Sequence, residues 1–93
     1  MTLMLAFQTI MLQNCDMFNE TQKRRVAERL ATELDEPSAE QVEKVGNLVF
    51  RVSALGVGRD VDYLLGVLDP ESGADETIVK AAGICLTELA ANN

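Results

Sequence analysis

Four valines, Val42, Val45, Val49 and Val52, recur at intervals of three, four and three residues. Only a helix brings that spacing onto one face, because a strand repeats every second residue. Leu48 and Leu55 flank the row and complete a heptad-like seam. The stretch carries its own start signal: Ser38 is followed three residues later by Gln41, the pattern of a capping box. Upstream, Asp35-Glu36-Pro37 is a break, since proline disfavours helical geometry in the residue before it. Downstream, Gly56 and Gly58 end the helix and open the next turn. These signals predict a helix over 39–55.

The same logic predicts the neighbouring elements. Asn19 with Gln22 starts a helix over 20–34, whose stripe is Val26, Ala27, Leu30, Ala31 and Leu34. Its wet face offers Glu20–Arg24 and Arg29–Glu33 as opposite charges four residues apart. A helix over 59–68 encloses Val61, Leu64, Leu65 and Leu68, and Pro70 stops it. After the polar turn 69–75, Asp75 or Ser72 can cap a helix over 76–91, with Ile78, Ala82, Cys85 and Leu89 in its stripe. A first helix is expected over 3–17, where Thr2, Thr9, Gln13 and Asp16 gather on one narrow side and nearly everything else is apolar. So greasy a helix is either central in a bundle or shared with a second chain. No segment alternates with period two over a strand's length. The expected fold is all-α, a small bundle of about five short helices forming one domain over 1–93. The run Leu64-Leu65, Leu68-Asp69-Pro70, then Asp75, Val79-Lys80-Ala81-Ala82, Leu86 and Leu89 resembles one HEAT-type helical hairpin. A stacked array needs at least three such units, and the earlier helices do not align to the same period.

Residues 1–15 carry no charged side chain, yet they lack the basic start and small-residue cleavage site of a signal peptide. Gln8, Gln13, Asn14 and Asp16 interrupt the apolar run before it reaches spanning length. The segment is therefore expected to be a buried helix. Cys15 and Cys85 both sit among apolar neighbours and read as reduced core thiols, which places the chain in the cytoplasm.

Several function classes fall away on composition. The chain has no His, so neither a Ser-His-Asp nor a Cys-His device can be built within it. Two Cys cannot close a four-Cys zinc site. A net charge of −7 opposes direct contact with nucleic acid or an anionic membrane, and it favours a partner with a basic surface.

The remaining motifs read as structure. Asp69 to Lys80 has acids at the first and third positions of a calcium loop, but its glycine is one place early and Lys80 stands where a Glu is required. Gly56-Val57-Gly58 follows a helix and no Gly-Lys-Ser/Thr comes after it, so it is a helix–helix joint. Residues 24–45 have a helix-turn-helix outline, but Glu40 and Glu43 would turn acids toward DNA. Lys23, Arg24, Arg25 and Arg29 fan around their helix and do not form a stripe.

The expectation is a non-enzymatic protein–protein interaction module of the inhibitor, immunity or regulatory kind. It would occlude a site on a larger, nucleic-acid-handling target and work as a homodimer. A small structural subunit or assembly chaperone is the alternative, and a DNA-binding regulator stands behind that. No catalytic residue, metal or cofactor is assigned. Candidate contact residues are the apolar and aromatic anchors Phe7, Met11, Phe18, Phe50 and Tyr63, with Arg24 and Arg25 as charged partners. Phe50 is singled out because it sits off the valine seam by helical angle.

Overall fold

Asn19 and Ser38 each fix a helix start by a reciprocal exchange. The side chain of Asn19 accepts from the Gln22 amide at 2.9 Å while Gln22 Oε1 accepts from the Asn19 amide at 2.8 Å. Ser38 and Gln41 repeat the exchange at 3.2 and 2.8 Å. Two amides that a helix start leaves without partners are satisfied in each case. The helices they open are α1, Glu20–Glu33, and α2, Ala39–Leu55. A computed structural model describes Phe7, Thr9 and residues 17–34, 38–56 and 58–91.

Gly56 and Gly58 turn the chain between α2 and α3, which spans Arg59–Leu68. Their φ angles of 86° and 91° lie where an L side chain is strained, so glycine is required at both. Asp60 Oδ1 then accepts from the Gly58 and Val61 amides at 3.1 and 2.7 Å, which sets a carboxylate at the positive end of α3. A 3-10 turn, Pro70–Ser72, follows, with Asp69 capping it through the Glu71 amide at 2.9 Å. Asp75 caps the last helix, α4 (Glu76–Ala91), by accepting from the Ile78 amide at 3.0 Å. Among the described residues the chain is thus all-helical, with four α-helices and no strand.

Helix α4 packs against α1, α2 and α3, whereas α1 and α2 do not pack on each other. Its sequence explains that central place. Ala81, Ala82 and Cys85 are buried small side chains that let three neighbours approach one axis. Around them lie Val26, Ala27 and Leu30 of α1, Val45, Val49 and Val52 of α2, and Leu64 and Val67 of α3. Three polar ties also converge on α4 and its cap. Arg25 of α1 reaches Glu88, Gln41 of α2 donates to Thr77 Oγ1 at 2.9 Å, and Lys44 of α2 meets Asp75 at 2.6 Å.

The ranges expected from sequence for α2, α3 and α4 coincide with the observed ones. Helix α1 ends one residue early, because Leu34 takes extended backbone angles and closes the helix with its amide on Leu30. Arg29–Glu33 forms as expected at 3.0 Å, but Glu20 pairs with Lys23 at 3.5 Å and not with Arg24. Most of the expected helix 3–17, with Met11 and Cys15, lies outside the described residues. Phe7 and Thr9, which are described, have helical backbone. Two contact candidates need correction: Phe7 is fully buried and Phe18 is 5% exposed, so both are core side chains within this chain. Cys85 is buried, as the sequence suggested.

Candidate interaction groove

On the valine side, α2 faces α4 and the core. Beside α3, which packs on α2 after the glycine turn, the other side of α2 leaves an open groove of about 1000 Å³. Leu48 and Val67 are buried at its base, and Leu55 and Ile78 are half-buried beside them. Gly66 keeps the α3 wall low, since a Cβ built there would meet nothing within 4 Å.

The groove brings two of the sequence candidates together. Phe50 of α2 is 61% exposed at its edge, the most exposed large apolar side chain among the described residues. Tyr63 of α3 is half-buried and lines the same space. Arg24 and Arg25 lie elsewhere, on α1. Both are exposed; Arg24 makes no ion pair with another described residue, while Arg25 pairs from the surface with the buried carboxylate of Glu88.

Polar side chains rim the groove. Lys44, Asn47 and Arg51 come from α2 and Asp62 from α3. Lys44 is fixed by Asp75, and the hydrogen bond between them, followed by their charge attraction, holds the ammonium above its ordinary range. The same hydrogen bond, with the Ile78 amide behind it, holds the Asp75 carboxyl below the ordinary carboxylate range. Arg51 makes no ion pair with another described residue. Lys44, Asn47, Arg51 and Ala54 were not singled out from the sequence. The signal that could have found them is their own spacing, because with Phe50 they follow helical steps on the side of α2 away from Val45 and Val49.

An apolar base, one projecting aromatic ring and a rim that mixes Lys44 and Arg51 with Asn47 and Asp62 make up the groove. Among the described residues no group of His, Cys, Asp or Glu could hold a metal ion, and no helix is long and apolar enough to cross a membrane. Comparison with protein-family models, with curated proteins and with solved structures finds no match to this chain.

Proposed function

We propose that this chain is a non-enzymatic protein-interaction module, working as a homodimer, that occludes a site on a larger protein. One observation carries the reading: Phe50 stands 61% exposed at the edge of an apolar groove, while Phe7 and Phe18 are buried. A large aromatic left in water forgoes roughly 1.5–3 kcal/mol of burial, and such residues concentrate where proteins meet. The exposed acids Asp69 and Glu71, with the net charge of −7, suit a basic surface on the larger partner. In the same reading α3 and α4 form a HEAT-type hairpin, a unit that ordinarily stacks on neighbours, and the site of action is the cytoplasm.

A photo-crosslinking side chain at position 50, in the cells that make the protein, tests it. The expected result is a discrete protein adduct that is absent when the same group replaces exposed Thr32 on α1. Equal labelling from both positions would overturn the reading.

A further inference from the structure

Glu43, Asn47 and Arg51 follow one another in four-residue steps along the exposed side of α2. Rows of that spacing are the ridges by which helices most often interlock, at crossing angles of roughly −50°. This ridge is negative at one end, neutral in the middle and positive at the other. Its two charges are about 12 Å apart along the axis, too far to pair with each other. Neither makes an ion pair with another described residue. Phe50 and Ala54, both exposed, form the adjoining row.

We propose that a second copy of this chain docks on this ridge, α2 against α2, about a two-fold axis at Asn47, a placement that rests on reading the Phe50 face as a docking surface. A two-fold perpendicular to the ridge reverses it. Glu43 of each copy then faces Arg51 of the other, and the two neutral Asn47 side chains meet at the axis. Phe50 lies three residues from the axis in the adjoining row, and its ring comes over the same row of the other copy, beside Gly46. Charge selects this occupant over others. On this ridge a uniformly basic surface would set like charge against Arg51 beside Phe50, and a uniformly acidic one would do the same at Glu43, so the larger partner's basic surface is left to the exposed acids away from it, Asp69 and Glu71. Only a face carrying both signs in reverse order satisfies both ends.

Sedimentation equilibrium of the full chain up to about 1 mM tests the interface. Wild type is expected to dimerise. E43R or R51E alone sets two like-charge pairs face to face and weakens the dimer by about tenfold or more. The double reversal E43R/R51E restores opposite charges and recovers wild-type affinity to within about threefold. E43Q and R51Q remove charge without adding repulsion and weaken it less. Both side chains are exposed, so the thermal melts of these variants coincide in dilute solution. A dimer indifferent to every one of these changes overturns the α2 interface but leaves Phe50 open to another protein. A wild type that stays monomeric throughout also overturns it, and crosslinking from position 50 to a different protein would then show that the docking surface itself survives.

Discussion

Arg25 of α1 donates through Nε to Oε1 of Glu88 on α4 at 2.8 Å, across 63 residues of sequence. The Glu88 side chain is 8% exposed and that of Arg25 is 54% exposed, so a carboxylate enters the core while its cation stays at the surface. The pair fastens α1 to the central helix.

Removing Arg25 strands that carboxylate. R25A is expected to destabilise the fold by about 1–2 kcal/mol, a figure reduced from that of a fully buried pair because the arginine is half in water. R25A/E88Q should recover part of the loss, since no stranded charge remains. Urea unfolding of the three variants measures both effects. Equal stability of R25A and wild type would show that the pair adds nothing.

The three phenylalanines should separate cleanly. F7A and F18A each empty a buried site and are expected to cost about 3 kcal/mol or more, a large part of the stability of so small a domain. F50A removes a ring already 61% exposed and should change monomer stability by less than about 0.5 kcal/mol. Chemical denaturation in dilute solution gives all three values.

Local signals were legible in the sequence and relations between distant segments were not. Asn19 with Gln22 and Ser38 with Gln41 could be read because a cap is decided within four residues. The valine seam could be read because its period is short. By contrast, the oily run 3–17 drew attention to itself, while among the described residues the central helix is α4, whose small side chains give a quiet pattern. The partner of Arg25 lies on another helix, where no spacing rule reaches, and Glu20 found Lys23 in preference to Arg24. Phe50 was visible as an offset from the seam. The groove beside it was not, because its walls come from α2, α3 and the turn into α4, segments whose arrangement in space no spacing rule gives.

The glycine turn between α2 and α3 makes its own prediction. G56A places a side chain at φ 86° and ψ 177°, a region open essentially to glycine alone, and is expected to cost about 1–3 kcal/mol. Gly83 lies inside α4 with nothing within 4 Å of a built Cβ, so G83A should stabilise by about 0.5–1 kcal/mol. Thermal melts of the two variants should move in opposite directions from wild type.

The Lys44–Asp75 tie should respond to pH at both extremes. Folding lowers the Asp75 pKa, so its contribution is present above the ordinary carboxylate value of about 4 and is lost as pH falls through the lower folded value. Folding raises the Lys44 pKa, so its contribution is present below the ordinary lysine value of about 10 and is lost as pH rises through the higher folded value. D75N keeps a capping side chain for the Ile78 amide but carries no charge, so it should weaken both pH limbs. D75A, which also loses the cap, should melt below D75N. Melting temperatures of the three proteins across pH check the order.

Sedimentation equilibrium and dilute-solution unfolding of one variant, F50D, test most directly whether the Phe50 face is for docking. The charge should abolish self-association while the unfolding midpoint stays at the wild-type value. An F50D protein that associates like wild type, or that loses its fold, would contradict a docking role for this face.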